Sequence, residues 1–335
     1  MGTLLNRRRY MGGGSADEII MTSTSNPELM AICYAQGWSA NADYMLKREA
    51  EAVTNIGTAF YNNTSITHFE EFEYFTSVTS LANNAFRGCS NLTSITLPYT
   101  ITTLGERAFQ ADAKLSSINL SNVEKIGNLC FYNCTSLVDV DISGCINLEQ
   151  GAFTNCSNLE TLTSVSNIVT IGIGNEGAFQ STKISGSLVF TSFTGSTIPA
   201  SLLNGTPVAD VQFPSSNYTS IGAFAFRNTH IASFVVKNGC ATLNNHSLSG
   251  SYFKLIDLPS TLTTWNGWVM YQNTSQEVII CRASTPPTID SAAFLGVPSS
   301  CKVYVPSASI SSYETATGWS KFAGRYIALE GSIYE

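Results

Sequence analysis

Three stretches of the chain hold residues capable of chemistry in a repeated pattern. Gly88-Cys89-Ser90-Asn91-Leu92, Asn133-Cys134-Thr135-Ser136-Leu137 and Asn155-Cys156-Ser157-Asn158-Leu159 each place a cysteine three residues before a leucine. Such a thiol can serve as a metal ligand, a disulfide partner, a nucleophile or a packing group, and each use requires different company. A nucleophile needs a neighbouring histidine or a helix start to depress its pKa. The chain has only three histidines, His68, His230 and His246, and none has a second histidine at ligand spacing. Neither HExxH nor CxxC occurs, and Cys130 and Cys134 flank Phe131 in a way that reads as turn geometry rather than chelation. No GxSxG is present, and "GIGNEG" at 172 to 177 resembles a phosphate loop but falls in a lengthened unit, where it reads as an inserted turn. Between the first two cysteine units Asp112 stands where Cys89 and Cys134 stand, so the position is not an obligatory ligand or nucleophile. Its expected role is a small side chain tucked under a turn, where a thiol or short acceptor satisfies backbone amides. No catalytic residue, metal or cofactor is expected.

The elements that would position these residues follow from a repeat. Ala-Phe or a close substitute returns at Phe60, Phe86, Phe109, Phe131, Phe153, Phe179, Leu202, Phe226, Leu248, Val269 and Phe294, at intervals of 21 to 26 residues. That period is the leucine-rich-repeat type of solenoid; helical repeats need more than about 30 residues. After Phe86 the apolar residues Leu92, Ile95 and Leu97 are matched after Phe131 by Leu137, Val140 and Ile142. The alternation predicts a short strand, and a second apolar pair before Gly105, Gly127 and Gly222 predicts another extended segment. Each coil therefore makes two short parallel strands and an irregular or short helical turn around the anchor. Coils stack so that each buries its apolar residues against its neighbours. Cys134 and Cys156 then fall in consecutive coils at a separation of ~4.8 Å, which a disulfide tolerates under oxidation.

Stacked strands also predict a ladder of outward positions. Thr96, Asn119, Asp141, Thr163 and Gln212 fall in one such column, with Asp139 on the same strand face as Asp141, and this is the candidate recognition face. The carboxylates Asp139, Asp141, Asp210 and Asp257 fit either solvation or contact with a cation or basic ligand. Trp265, Trp268 and Tyr271 fit either core packing or stacking on a sugar. The frequent Asn-x-Ser/Thr triplets follow from composition.

The ends break the period. Residues 1–24 read as a flexible or partner-ordered tail, 25–53 as a helical N-terminal cap, 54–300 as the solenoid and 301–335 as a C-terminal capping strand and helix. Asn26-Pro27-Glu28 starts a helix over 27 to 36, and a second helical stretch spans 44 to 53. In the C-terminal cap, Trp319, Phe322 and Ile327 are expected to close the core. The 335 residues carry 12% charged side chains and a net charge of -7. Such a balance disfavours nucleic acid or an anionic membrane as partner. Arg7, Arg8 and Arg9 form the one basic cluster, in a Gly-rich stretch without the apolar run of a cleavable signal. No apolar run is long enough for membrane insertion.

The unit "AFRGCSNLTSITLPYTITTLGERAF" and the ending "ASTPPTIDSAAFLGVPSSCKVYVPSASISSYETATGWSKFAGRYIAL" resemble the BspA-like branch of leucine-rich repeat proteins, over roughly residues 54 to 329. The resemblance implies a non-enzymatic solenoid for adhesion and binding, with a protein or glycan on a cell surface as partner. The start "MGTLLNRRRYMGGG" is similar to leaders of proteins encoded by phages of host-associated bacteria. It implies a virion or cell-surface location, with the chain cytoplasmic before assembly. The alternative expectation is a structural virion component or rigid spacer, docked on a larger assembly through Arg7, Arg8 and Arg9.

Overall fold

A computed structural model describes residues 17–214 and 218–335. The sequence repeat becomes two columns of very short parallel strands that run along a solenoid. The first column stacks His68–Phe69, Ser94–Ile95 and Ser117–Ile118, then Asp139–Val140 and Thr161–Leu162, then Ser187–Val189 and Asp210–Gln212. It ends in Ser233–Val235, Leu255–Leu258, Val278–Cys281, Lys302–Val305 and Tyr326–Ala328. The second column stacks Ser80–Leu81, Thr103–Leu104, Lys125–Ile126, Asn147–Leu148 and Thr170–Ile171, and continues from Thr197–Ile198 to Thr264–Trp265. Two-residue strands are too short to persist alone; the ladder between coils holds them, as in other solenoids.

A third ladder joins the turns. Phe86 N–H donates to Ala108 O, Phe109 to Cys130 O, Phe131 to Ala152 O and Phe153 to Ala178 O, all at 2.7 to 2.9 Å. Each anchor thus bonds the residue just before the anchor of the next coil. This rule corrects two anchors. Phe179 N–H reaches Leu202 O and Leu248 N–H reaches Val269 O, so Leu203 and Met270 hold the anchor positions instead of Leu202 and Val269. Both neighbours in each pair are buried and apolar, and only the hydrogen-bond register separates them.

The anchor rings stack face to face through the core. Centroid separations are 4.9 Å for Phe60 and Phe86, 5.2 Å for Phe86 and Phe109, 5.3 Å for Phe109 and Phe131, and 5.1 Å for Phe131 and Phe153. Burial of each ring contributes about 1.5–3 kcal/mol, and ring pairing adds about 0.5–1.5 kcal/mol more. Close coil approach explains the glycine after the second apolar pair. A Cβ on Gly127 would stand 2.6 Å from the carbonyl carbon of Gly105.

The N-terminal cap begins with α1 (Pro27–Ala35), whose cap residue Asn26 accepts a hydrogen bond from Leu29 N–H. The tail expected to run through residue 24 becomes structured earlier. Strand β1 (Ile19–Thr22) pairs antiparallel with β2 (Tyr44–Leu46) and buries Met21 and Met45. The helix expected over 44 to 53 is accordingly shortened to α2 (Lys47–Ala52), because its first turn is taken by this pairing. At the other end α3 (Ile310–Thr315) follows the strand Lys302–Val305. Trp319 and Phe322 are buried against Phe294, as expected. Ile327 instead lies half-buried in the terminal strand Tyr326–Ala328, which extends the first column by one rung. No helix among the described residues is long and apolar enough to cross a membrane.

Candidate functional site

The cysteine position is interior. With the corrected anchors, the residue three past each anchor from Phe86 to Met270 is Cys89, Asp112, Cys134, Cys156, Thr182, Thr206, Thr229, Ser251 or Asn273, all buried. The thiols of Cys89, Cys134 and Cys156 donate to Phe60 O, Phe109 O and Phe131 O, each at 3.0 Å. Thr206 and Ser251 hydroxyls donate to Phe179 O and Phe226 O at 2.8 and 2.6 Å. The slot serves mainly anchor carbonyls, those of the preceding coil for these five residues and of the same coil for Thr182 and Thr229. The expected service to backbone amides holds for Ser251, which accepts from Thr229 N–H at 3.2 Å, and for Asn273, which accepts from Ser251 N–H at 3.0 Å. Burial pushes the Cys156 thiol up to about 12 and those of Cys89 and Cys134 up as well. A neutral thiol tied to a carbonyl is neither a nucleophile nor a metal ligand. All nine cysteines are free and buried, Cys134 and Cys156 included. Among the described residues no group of three His, Cys, Asp or Glu side chains could hold a metal ion.

The outward column falls where the repeat places it, on the solvent face of the first strand column. Asn119, Asp139, Thr163 and Gln212 are exposed, and Thr96 and Asp141 are half-buried. Their side chains differ in freedom. Asn119 clamps the preceding coil, accepting from Leu97 N–H at 2.7 Å and donating to Leu97 O at 3.0 Å. Asp141 accepts from Ser143 N–H at 3.0 Å. Gln212 donates to Asp210 at 2.8 Å, and Asp210 also accepts from Ser187 at 2.8 Å. Asp139 and Thr163 make no side-chain hydrogen bond among the described residues, so they are open to a partner. The single outward column chosen from the sequence omitted Ser117, Thr161, Val189 and Val235, which complete the same wall. Their positions in the strand pattern would have found them.

The wall closes toward the C-terminus. Asp257 forms a bidentate pair with Arg282, both bonds at 2.9 Å, and Arg282 also donates to Tyr334 O. Tyr334 packs edge-on against Tyr304 at 4.9 Å. Asp257 is therefore not part of an open carboxylate row. Of the three aromatic residues considered for stacking, Trp265 is in the core against Phe294 and Trp319, whereas Trp268 is 44% exposed. Arg7, Arg8 and Arg9 lie outside the described residues.

A family model described as a BspA type leucine rich repeat region matches residues 54–185 and 196–316. No curated protein matches the chain. Similar solved structures include a leucine rich cell surface protein from Faecalibacterium prausnitzii A2-165, at 17% identity, with 83% of each chain covered and a TM-score of 0.43. A leucine-rich repeat protein from Bacteroides ovatus ATCC 8483 is 20% identical over 72% of this chain and 69% of that one, with a TM-score of 0.40. The pneumococcal vaccine antigen PcpA is 15% identical over 72% of this chain and 75% of that one, with a TM-score of 0.44.

Proposed function

The chain belongs to the BspA-type leucine-rich repeat family, and we propose that it is a non-catalytic binding protein whose solenoid presents an extended face to a protein or glycan ligand. One observation carries the reading. From Ser94 to Val235 the first strand column turns a continuous row of mostly short side chains to solvent, among them Ser94, Ser117, Asp139, Thr161, Ser187 and Ser233. Short polar side chains on a stacked backbone give a broad surface that a partner can approach closely without reordering long side chains. The test uses the soluble protein on protein and glycan arrays, followed by Asp139→Arg/Thr163→Arg, which alters the two uncommitted positions. Loss of an array ligand with unchanged thermal unfolding supports the wall as the recognition face. Retention of every ligand refutes it.

The finer part of the proposal is that the solenoid is carried on a phage virion or a bacterial surface, and its support is the resemblance of the first residues and of the repeat. Neighbouring capsid and tail genes would favour the virion; secretion and polysaccharide genes would favour the surface. In the second reading, a rigid spacer docked through Arg7, Arg8 and Arg9, removal of residues 1–16 abolishes incorporation into the assembly. That truncation leaves the β1–β2 pairing in place, so unchanged incorporation removes the spacer reading without a folding ambiguity.

A further inference from the structure

The turn side of the solenoid carries a second surface. Two residues before and one residue after an anchor, neighbouring side chains leave the core beside each other. In early coils these positions hold polar pairs such as Asn84 with Arg87, joined at 3.4 Å, or Arg107 with Gln110. In three consecutive later coils they hold Phe224 with Arg227, His246 with Ser249, and Trp268 with Tyr271. The rings form one connected cluster. Phe224 stacks on His246 at 5.3 Å, His246 meets Trp268 edge-on at 5.3 Å, and Trp268 lies beside Tyr271 at 5.2 Å.

The backbone sets Phe224 and His246 apart from Trp268. The first of the two positions is left-handed in coil after coil, with φ of 61° at Asn84, 55° at Arg107, 60° at Phe224 and 54° at His246. Glycine or asparagine occupies that region readily, whereas a bulky aromatic is disfavoured there. Leu129 and Ser201 adopt the same conformation at this position, so it belongs to the turn of the repeat, and Phe224 and His246 are its aromatic occupants.

The electrostatics point to a ligand of defined charge. Arg227 lies over the Phe224 ring at 5.5 Å and has no ion pair or side-chain hydrogen bond among the described residues. The ridge positions of these coils contain no carboxylate, in a chain of net charge -7. Partial burial, reinforced by Arg227, lowers the pKa of His246 and keeps it a neutral ring rather than a second cation. Asn228, Asn245 and Asn266 are exposed near the ring positions in sequence; Asn245 accepts from Trp268 N–H at 3.4 Å and Asn266 donates to Asn244 at 3.1 Å. Aromatic faces suit the apolar faces of pyranoses, amides suit their hydroxyls, and a guanidinium binds a carboxylate through two parallel bonds. Phe224 and His246 turn their faces to each other, so the ring most open to a sugar is Trp268, 44% exposed.

We infer that Trp268 and Arg227, held by His246 and Tyr271, form a ridge that binds a linear uronic-acid-containing oligosaccharide, with a sugar ring stacked on Trp268 and a carboxylate on Arg227. The inference rests on the binding role proposed above and names a ligand class on a face separate from the strand wall.

The test measures binding of the full chain to a β-linked hexauronate, to neutral cellohexaose and to sialyllactose by titration calorimetry. The hexauronate is expected to bind at least tenfold more tightly than cellohexaose and to weaken with added salt. Trp268→Ala should weaken it at least tenfold and Trp268→Phe should restore most of the loss. Arg227→Ala should erase the preference over cellohexaose. Absence of hexauronate binding, equal affinity for cellohexaose, preference for sialyllactose, or indifference to Trp268→Ala in a protein with unchanged thermal unfolding would each overturn the inference. An array ligand that is lost in Asp139→Arg/Thr163→Arg leaves the general binding role standing even if the ridge binds no saccharide.

Discussion

Replacing Asp112 by cysteine should make the protein more stable at pH 8, by a margin about 4 kcal/mol larger than at pH 5. The carboxyl is fully buried, and neither oxygen has a hydrogen-bond partner in the structure. The ionisable groups facing it are the thiols of Cys89, Cys130 and Cys134, themselves held neutral by burial. Burial pushes Asp112 up to about 9, against the smaller opposing effect of the Cys89 and Gly88 amides. A carboxyl that remains protonated has one donor to place, and its neighbours in the slot show where. Cys89 and Cys134 donate to the anchor carbonyl of the preceding coil, which for Asp112 is Phe86 O. A folded-state pKa above the unfolded value of about 4 means that the native chain retains a proton that the unfolded chain releases. The stability from this group is fully present below about pH 4 and is lost as pH rises toward 9, at about 1.4 kcal/mol per pH unit. From pH 5 to pH 8 the wild type loses about 4 kcal/mol through this group alone. Asp112→Cys places a neutral thiol in the slot and removes that slope. Urea unfolding followed by circular dichroism at pH 5, 6.5 and 8 reads the difference, since all other groups are common to both proteins. Hydrogen exchange of the amides between Phe109 and Phe131 localises it, which is useful because stacked repeats can open coil by coil. Equal pH dependence in the two proteins would refute the protonated carboxyl and the carbonyl-directed slot.

Three further outcomes follow from the same packing. Phe131→Ala removes a ring stacked at 5.3 Å on Phe109 and at 5.1 Å on Phe153, and should lower the unfolding free energy by about 3–5 kcal/mol in urea titrations. Asn119→Ala leaves the Leu97 N–H and C=O without their clamp and should destabilise by about 1–2 kcal/mol with faster exchange at Leu97; Asp139→Ala, on the same face, should change stability by less than about 0.5 kcal/mol. An aromatic disulfide reagent should label almost no thiol in the native protein and all nine cysteines in denaturant; seven in denaturant would show that a bridge such as Cys134 to Cys156 forms.

Much of this molecule is written locally. The spacing of Phe86, Phe109, Phe131 and Phe153, with Leu and Ile at constant offsets, sets the coil, the two strand columns and the outward position of Asp139 and Thr163, because in a stacked repeat each coil packs chiefly on its neighbours. Asn26-Pro27 likewise marks the start of α1 through short-range capping. Other features arise only when distant segments meet. Leu202 and Leu203 are indistinguishable as apolar neighbours until the turn ladder selects Leu203. Tyr44–Leu46 turns from helix to strand because Ile19–Thr22 lies beside it. Asn119 looks as free as Thr163 in sequence, yet its amide is bound to the preceding coil. Trp265 and Trp268, three residues apart, divide between core and solvent. The physical reason is common to all four: apolar periodicity specifies which face of a coil is buried. The partners of individual polar groups, and the choice between adjacent side chains of equal hydrophobicity, are decided by hydrogen bonds that exist only once the coils are stacked.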